Sequence, residues 1–296
     1  MKKRWIAWFA LALLLATAVW SVAVEPRWVV RRDLAYDMPG WAGPPGLKVA
    51  VAGDWHFTKR GWWRVMTVER ARALVEEINA ARPDIILLPG DFISDRDYRP
   101  TEAATPEDEI AGVLGQLRAP LGVHAVLGNH DYWHGPRRFK SALRRGGIEV
   151  LENEAKPIPG TDLWLAGIGD HSTGHSHVQA ALSLLPAGAQ ALVFMHDPAS
   201  LRELPRVPGL AIAAHTHGGQ VFVPGIGALI VPSDAPRSWA HGWVSHNGNT
   251  AYVTSGLGVS ILPVRFNMRP EWVLFTLNAA PAAPAAPTPP AATIAP

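Results

Sequence analysis

Two histidines, His215 and His217, stand one residue apart in the stretch AAHTHGGQ, between a run of small apolar residues and a pair of glycines. In an extended segment residues i and i+2 point to the same side, so both imidazoles can reach one object. Gly218 and Gly219 let the backbone turn sharply beside them. This spacing suits a metal ion, although an isolated pair of this kind is more often two hydrogen-bonded histidines at a strand end.

Four further groups of metal-binding residue types occur along the chain, and each directly follows an apolar run that we predict to be a strand. The groups are Asp54 with His56, Asp91, Asn129 with His130 and Asp131, and His196. Ligands of open α/β sheets gather at the carboxyl ends of the strands. A single aspartate after glycine is commonly a capped turn, but a coincidence of such turns at every strand end is improbable. The pattern therefore predicts one shared metal site.

The composition narrows the ligands and partners of such a site. The chain has no cysteine, so a metal would be held by histidine, carboxylate and amide groups, which suit Mn, Fe or Zn. With 27 Lys and Arg against 25 Asp and Glu, the net charge is only +2, and no nucleic-acid partner is expected. An apolar fraction of 48% in 296 residues is that of a folded protein with a sizeable core.

The elements that must position these residues alternate between strands and helices in the first half of the chain. Apolar spacing predicts a strand over residues 47–52, a helix over 67–81 and a strand over 84–88, which together form a β-α-β unit. A helix over 105–118 and a strand over 123–127 repeat this order. The second half contains mainly short strand runs, which predicts a β-rich half after an αβ half.

The chain is predicted to consist of four parts. Residues 1–25 form a membrane anchor, 26–46 a juxtamembrane linker rich in Pro and Gly, and 47–278 the folded domain. Residues 279–296 are mostly Ala, Pro and Thr with no charge, and such a segment cannot bury enough surface to order itself. We therefore predict a disordered tail.

The anchor is predicted to be a single helix crossing the cytoplasmic membrane. Lys2, Lys3 and Arg4 precede a stretch, residues 5–24, that has no charge and is long enough to span the hydrocarbon. A cleavable signal peptide is the alternative, because Ser21 and Ala23 form a small-x-small pattern, but its apolar region is usually only about 7–15 residues. Basic residues on the two sides nearly balance, and we expect the folded domain on the outer face.

The ordered set D-x-H, G-D, G-N-H-D, H and H-x-H resembles the signature of the calcineurin-like metallophosphoesterase superfamily, over residues 47–277. Its transmembrane-anchored branch is the most similar, through HTHGGQ, the segment GLG at residues 256–258 and the run ILPVRF at residues 261–266. That branch includes phosphodiesterases and hydrolases of UDP-2,3-diacylglucosamine. The resemblance implies an α/β fold, a four-layer α/β/β/α sandwich that follows an N-terminal transmembrane helix.

The resemblance also implies a centre of two divalent metal ions. One ion would be held by Asp54, His56 and His217, and the other by Asn129, His196 and His215, with Asp91 bridging both. His130 would stay free of metal and stabilise charge or protonate the leaving oxygen, oriented by Asp131. We favour Mn, with Fe or Zn as alternatives. Ala214 stands where the family usually has glycine, so we expect a local backbone adjustment without loss of metal.

Two cations about 3.5–4 Å apart can activate water and neutralise phosphoryl oxygens during an in-line displacement. We therefore predict a membrane-anchored hydrolase of a phosphodiester or pyrophosphate bond in a phospholipid or a nucleotide-linked glycolipid such as UDP-2,3-diacylglucosamine. A phosphomonoesterase and a catalytically silent metal-binding scaffold at the membrane are the alternatives. An outward-facing domain would not reach a cytoplasmic UDP-lipid. Trp62 and Trp63, beside Lys59 and Arg60, are candidates for a membrane interface or for core packing.

Overall fold

The computed structural model describes residues 2–38, 40–41, 43–58, 64–94 and 105–279. Within these ranges the α-helices are α1 (Lys2–Val19), α2 (Val68–Ala80), α3 (Pro106–Leu114), α4 (Asn129–His134), α5 (Pro136–Arg145) and α6 (Val178–Leu182). The strands are β1 (Val30–Met38), β2 (Leu47–Val51), β3 (Ile85–Pro89), β4 (Val123–Val126), β5 (Glu149–Val150), β6 (Glu154–Pro157), β7 (Leu163–Ile168), β8 (Gln190–Met195), β9 (Gly209–Ala213), β10 (Phe222–Val223), β11 (Gly227–Ala228), β12 (Gly242–His246), β13 (Asn249–Val253) and β14 (Glu271–Ala279).

The strands form two large sheets. The first sheet has the order β1-β14-β2-β3-β4-β5, in which β2 to β5 run parallel. Its strand β14 comes last in sequence and lies between β1, to which it is parallel, and β2, to which it is antiparallel. The second sheet has the order β12-β13-β9-β8-β7-β6, with β7, β8, β9 and β13 parallel. A separate antiparallel hairpin is formed by β10 and β11.

The two sheets pack face to face, with helices on their outer sides. Alternate residues of a strand face opposite sides of its sheet. In β2, Val49 and Val51 enter the core between the sheets, whereas Ala50 faces the apolar sides of α2, α3 and α5. In β8, Phe194 enters the same inter-sheet core, whereas Val193 lies on the side covered by α6. The prediction of a four-layer α/β/β/α sandwich is confirmed.

The helices α2 and α3 begin where their capping residues predict. The Thr67 hydroxyl accepts the N–H of Arg70 at 3.3 Å at the start of α2, and Thr105 accepts the N–H of Asp108 at 3.3 Å at the start of α3. α3 ends at Leu114, earlier than the predicted residue 118. These caps fix the starts of two of the helices that cover the first sheet.

The segment 26–46 differs from the linker that the sequence analysis assigned. Its residues Val30–Met38 form β1, which pairs with β14 along its whole length, and Trp41 is buried. β1 is an edge strand with charged residues such as Arg31 and Asp33 on its exposed side, so its apolar alternation is weak. The folded part of the chain therefore extends upstream of residue 47.

At the C-terminal end of the described residues, β14 is the last strand and ends at Ala279. The remainder of the tail that we predict to be disordered, residues 280–296, lies outside the described residues. The pair Trp62 and Trp63, with Lys59 and Arg60, lies outside them too.

α1 continues into a π-helical turn, Trp20–Val24, where the chain meets the folded domain. The segment Lys2–Arg27 contains an 18-residue window with a mean hydropathy of 2.1, and it is long and apolar enough to cross a membrane. The side chains of α1 are exposed, whereas Ser21 and Glu25 are buried. The Ser21 carbonyl accepts the N–H of Arg265 at 2.9 Å, and the Glu25 carboxylate accepts the N–H of Met268 at 2.6 Å. Specific contacts therefore join the apolar helix to the domain.

Candidate metal centre

The residues predicted to bind metal lie together where strands of both sheets end. Asp54 and His56 follow β2, Asp91 follows β3 and Asn129 follows β4 in the first sheet. His196 follows β8, and His215 and His217 follow β9 in the second sheet. All seven side chains are buried. The fold thus brings the two halves of the sequence pattern to one place.

The first group consists of Asp54, His56 and His217, whose ligand atoms lie within 4.8 Å of one another. Nε2 of His56 is 3.0 Å from Nε2 of His217. Nδ1 of His217 is 4.0 Å from Oδ2 of Asp54. This set of one carboxylate and two imidazoles has the composition of a divalent metal site.

The second group consists of Asp91, His196 and His215, also within 4.8 Å of one another. Nδ1 of His215 lies 3.0 Å from Nε2 of His196, and Oδ1 of Asn129 lies 3.1 Å from the same Nε2. The amide oxygen of Asn129 therefore points into this group.

Asp91 stands between the two groups. Its Oδ2 lies 3.4 Å from Nε2 of His56 and 3.4 Å from Nε2 of His196. Its Oδ1 accepts the backbone N–H of His130 at 2.9 Å, which fixes the plane of the carboxylate. One oxygen at equal distance from both groups is the placement expected of a carboxylate shared by two ions. The assignment of each ligand to each ion stays a prediction.

Two backbone carbonyls select the ring nitrogens of the second group. Nδ1 of His196 donates to the carbonyl of Pro89 at 2.7 Å, and Nε2 of His215 donates to the carbonyl of Pro232. In a neutral imidazole the other nitrogen then carries a free lone pair. The free atoms are Nε2 of His196 and Nδ1 of His215, the same two that face each other. These carbonyls have no signature in the sequence, because every residue has one.

The backbone at the centre is strained. Five of the predicted ligands have positive φ angles: Asp54 (52°), His56 (46°), Asp91 (55°), His215 (70°) and His217 (51°). Each residue other than glycine costs about 1–3 kcal/mol in this region, and such strain concentrates at functional sites. Ala214 has no positive φ, is fully buried and donates its N–H to the carbonyl of His196 at 2.9 Å. The alanine is therefore accommodated without strain of this kind.

A glycine allows the loop after β13 to approach the first group. A Cβ atom added to Gly256 would lie 2.4 Å from Oδ2 of Asp54, closer than any side chain can come. The neighbouring backbone closes the contact, because Leu257 donates to the carbonyl of Gly53 and Gly258 donates to the carbonyl of Asp54. The G-L-G segment noted in the sequence thus forms one wall of the centre.

Burial controls the charges at the centre. Burial lowers the pKa of His56 to about 3 and holds the pKa of His217 well below its usual value, so both imidazoles are neutral at pH 7. Burial also raises the pKa of Asp54, although the charges of His196 and Arg265 oppose this rise. Burial opposes a charge on His196 too, but the carboxylate of Asp91 holds the pKa of His196 well above its usual value. Buried imidazoles and carboxylates that face one another in both groups are donors that divalent cations satisfy, so the residues present fit two such ions.

His130 lies beside the centre and is partly exposed. Its ring packs edge-on against His56 with 4.8 Å between ring centres. Nδ1 lies 3.2 Å from the carbonyl of Ser94, and Nε2 lies 3.4 Å from the hydroxyl of Ser260. Neither serine was among the predicted site residues.

The position of Asp131 differs from the expected one. Its carboxylate is fully buried and accepts the N–H groups of Asp91 and Gly128 on one oxygen, each at 2.9 Å, and that of Phe92 at 2.9 Å on the other. The hydrogen bonds of the His130 ring go to Ser94 and Ser260 instead. Asp131 therefore holds the two loops that carry Asp91 and Asn129, and it orients no imidazole.

Arg265 is a further residue of the site that the sequence reasoning passed over. Its side chain is fully buried, and its guanidinium donates to the carbonyls of Ser255 at 2.7 Å and Gly258 at 2.6 Å. Nη2 lies 3.4 Å from Nδ1 of His217. The arginine thus fixes the loop that packs on Asp54 and lies behind the last histidine. The sequence shows Arg265 in the run ILPVRF, but it gives no sign that the side chain is buried.

The chain is similar to several known proteins. A family model described as calcineurin-like phosphoesterase matches residues 47–219. The chain is 30% identical over 243 residues to the uncharacterized metallophosphoesterase YkuE of Bacillus subtilis, covering 80% of this chain and 81% of that protein. It is 30% identical over 261 residues to the phosphodiesterase YaeI of Escherichia coli, covering 86% of this chain and 90% of that protein.

A transmembrane protein with metallophosphoesterase domain from Bos taurus is 28% identical over 256 residues, covering 79% of this chain and 54% of that protein. Among solved structures, the calcineurin-like phosphoesterase YfkN of Bacillus subtilis is 13% identical and superposes with a TM-score of 0.44, covering 72% of this chain and 83% of that one.

Proposed function

The chain belongs to the calcineurin-like phosphoesterase family, and from this premise we propose that it is a membrane-anchored enzyme with two metal ions that cleaves a phosphodiester or pyrophosphate bond of a lipid-linked substrate. Hydrolysis of phosphoric esters follows from the family and from relatives named metallophosphoesterase and phosphodiesterase. The observation that carries the proposal is the position of Asp91, whose Oδ2 lies 3.4 Å from both His56 and His196.

Different residues of the site have different roles in the reaction. When bound, two divalent ions supply an activated water and neutralise charge on the phosphoryl oxygens. The buried histidines and carboxylates hold the ligand atoms in place in advance. His130 donates Nδ1–H to the Ser94 carbonyl, which leaves Nε2, on the side of Ser260, to hold a proton for the leaving oxygen. Arg265 and Asp131 position the loops around these groups.

The lipid-linked substrate is supported by the helix that precedes the domain. The segment Lys2–Arg27 is apolar enough to span a membrane, and a relative is named a transmembrane protein. Buried Ser21 and Glu25 bind the backbone of Arg265 and Met268, so the helix is held close to the site. A site held so near a bilayer meets phosphoesters of lipids at high local concentration.

The orientation in the membrane limits which of the two candidate lipids the domain can reach. We propose that the domain faces outward, where a phospholipid is within reach. With the domain inside the cell, a nucleotide-linked glycolipid such as UDP-2,3-diacylglucosamine becomes the candidate. Because the chain has no cysteine, the variant Leu184→Cys can be labelled in intact cells with a membrane-impermeant maleimide. Labelling only after the cells are permeabilised would overturn the outward orientation.

The activity is tested with the full-length protein in detergent. After metal removal and reconstitution with Mn, we measure turnover of bis-p-nitrophenyl phosphate, p-nitrophenyl phosphate, a phospholipid and UDP-2,3-diacylglucosamine. We expect faster turnover of the diester than of the monoester, and one of the two lipids as a substrate. Faster turnover of the monoester would support a phosphomonoesterase instead.

Variants separate the roles of the residues. His130→Ala should lower kcat by about 10²–10⁴-fold, because a positioned proton donor contributes that much. Asp91→Ala should abolish activity and reduce the bound Mn. His177, which is exposed and outside the centre, supplies a matched control, and His177→Ala should behave like the wild type. Unchanged turnover in Asp91→Ala would rule out the mechanism.

A further inference from the structure

Large apolar side chains are exposed on two neighbouring segments of the domain. Ile226, Leu229 and Ile230 belong to or follow the β10–β11 hairpin, and Ile261 and Leu262 lie in the loop before Arg265. Ile261 is 89% exposed and Ile230 is 75% exposed. We call these five residues the apolar rim. A cluster of this kind on a folded domain usually marks a surface that contacts a partner or a membrane.

The two segments form one structural unit. The side chain of Gln220 donates to the carbonyl of Ser260 at 3.1 Å and accepts the N–H of Ser260 at 2.7 Å. Phe222 donates its N–H to the carbonyl of Phe266 at 2.9 Å, beside the bridge between Val221 and Phe266. The rim is therefore held as a fixed surface.

This unit lies where α1 enters the domain. Arg265, at the end of the rim loop, donates its N–H to the Ser21 carbonyl, and Met268 donates to Glu25. If α1 crosses a bilayer, the contacts at Ser21 bring the rim loop to the same membrane surface. The rim thus lies next to the point at which α1 leaves the membrane.

A cavity of about 1120 Å³ separates the hairpin from the end of α1. Trp20, Arg31, Arg32, Ile226, Arg237 and Arg269 are among its lining residues. Arg31 pairs with Asp33 and Arg32 with Glu271. Among the described residues Arg237 and Arg269 have no carboxylate within ion-pair distance; Arg237 donates to the Ala228 carbonyl, and Arg269 stacks over Trp28 at 3.8 Å. Arginine and tryptophan behind an exposed apolar edge suit the headgroup region of a bilayer.

The rim is also connected to the site. Ser260, next to Ile261, has its hydroxyl 3.4 Å from Nε2 of His130. Pro232, two residues after Ile230, accepts a hydrogen bond from His215. A membrane that covered the rim would therefore lie beside the group that faces the substrate.

We propose that the apolar rim is a second membrane contact, immersed at the boundary of headgroups and acyl chains of the bilayer that α1 crosses, with Arg237 and Arg269 binding the phosphates of anionic lipid headgroups. The inference rests on the proposed function, since it requires α1 to be in the membrane. With this second contact, the domain has a fixed orientation against the bilayer surface.

The absence of cysteine from the chain makes the contact measurable at single sites. Full-length Ile230→Cys, Leu262→Cys, Leu11→Cys and Leu184→Cys variants are labelled with a bimane fluorophore and reconstituted into phosphatidylcholine vesicles that contain nitroxide-labelled lipid. Leu11 lies within α1 and reports its insertion. Leu184, which follows α6 and is 51% exposed, is the matched apolar control on the domain.

We expect lipid quenching of the two rim labels to exceed that of the Leu184 label by at least about twofold, because a group buried 5–10 Å into the interface meets the nitroxides directly. If the Leu11 label is quenched but the rim labels are quenched no more than the Leu184 label, α1 is inserted and the proposed membrane contact of the rim is wrong. If the Leu11 label is not quenched, both the insertion of α1 and the membrane contact of the rim are wrong. Turnover of bis-p-nitrophenyl phosphate by the same preparations reports the enzymatic proposal separately.

The headgroup part has its own test. We compare quenching of an Ile226→Cys label by nitroxide-labelled phosphatidylglycerol and phosphatidylcholine. About 1 kcal/mol for each arginine corresponds to roughly fivefold local enrichment of the anionic lipid. Arg269→Gln should reduce this enrichment, whereas Arg118→Gln, an exposed arginine after α3, should not. Equal quenching by both lipids would overturn the role of the arginines.

Discussion

Gly128 shows how tightly the ligands are packed. A Cβ atom added there would lie 2.2 Å from Oδ1 of Asp91 and 2.7 Å from a ring carbon of His196. Gly128→Ala should therefore displace the shared carboxylate, and since an error of 1 Å costs about 10²-fold, kcat/KM should fall by at least that factor. The Mn content per chain, measured by elemental mass spectrometry, should fall as well.

Gly112 in α3 provides the matched substitution, because nothing lies within 4 Å of a Cβ added there. Gly112→Ala should leave activity unchanged and stabilise the protein by about 0.5–1 kcal/mol, the usual gain in a helix interior. A Gly128→Ala variant with full metal content and wild-type activity would contradict the packing described for the centre.

Asp131 should matter for stability more than for proton transfer. In Asp131→Asn an amide NH₂ replaces one acceptor oxygen and faces backbone N–H groups, so we expect the free energy of unfolding in urea to fall by about 2–4 kcal/mol. The pH dependence of kcat for the remaining activity should match the wild type, because Asp131 makes no hydrogen bond to the His130 ring. A shifted pH profile would restore the orienting role that the sequence pattern implied.

At the residue scale, the side-chain types were predictable and their supports were not. Asp54, His56 and Asp91 could be found because carboxylates and imidazoles directly after apolar runs are visible in the sequence. The carbonyls of Pro89 and Pro232 could not be found, since every residue has a backbone carbonyl and residue type does not reveal its role. The positive φ angles could not be predicted either, because Asp and His adopt them more often than most residues but still in a minority of cases.

Among the elements, β14 carries a buried carboxylate that joins the two sheets. Glu271 at its start accepts hydrogen bonds from His241, from the hydroxyl of Tyr252 in β13 and from Arg32 in β1. Although burial opposes ionisation, the hydrogen bonds and charges of His241 and Arg32 lower the pKa of Glu271 from 4.5 to about 2. The ionised carboxylate therefore stabilises the fold by about 3 kcal/mol, at 1.36 kcal/mol per pKa unit.

The pH dependence follows from the sign of this change. The folded-state pKa is below the unfolded value, so the stabilisation is fully present above about pH 4.5 and is lost as the pH falls towards 2. The free energies of unfolding in urea of the wild type and Glu271→Gln should thus differ at pH 5 and converge between pH 4.5 and 2. A difference that is the same at pH 3 and pH 7 would show that the carboxylate is not ionised preferentially in the fold.

The longer elements were predictable from the sequence, and the short or exposed ones were missed. Strands such as β3 and β8 and the helix α2 have uninterrupted apolar patterns that only a buried element shows. β1 was missed because its charged residues fit an edge strand and a linker equally well. The β10–β11 hairpin has two residues in each strand, too few for a period of two to be recognised.

For the molecule as a whole, the contacts of Ser21 and Glu25 predict that the apolar helix is retained. Cleavage after Ala23 would remove the Ser21 carbonyl that binds Arg265 and leave the buried Glu25 next to a new amino terminus. We expect the intact mass of protein extracted from membranes to include residues 2–23. A mass that begins at residue 24 would identify the segment as a signal peptide and would remove the basis of the membrane proposals.

The place of β14 in the first sheet has a consequence for the newly made protein. Every other strand of both sheets leaves the ribosome before β14, yet β14 separates β1 from β2. Until β14 inserts, the gap between these two neighbours exposes unpaired backbone. We therefore expect completion of the first sheet to be a late step, and chaperones to bind the gap rather than the finished enzyme.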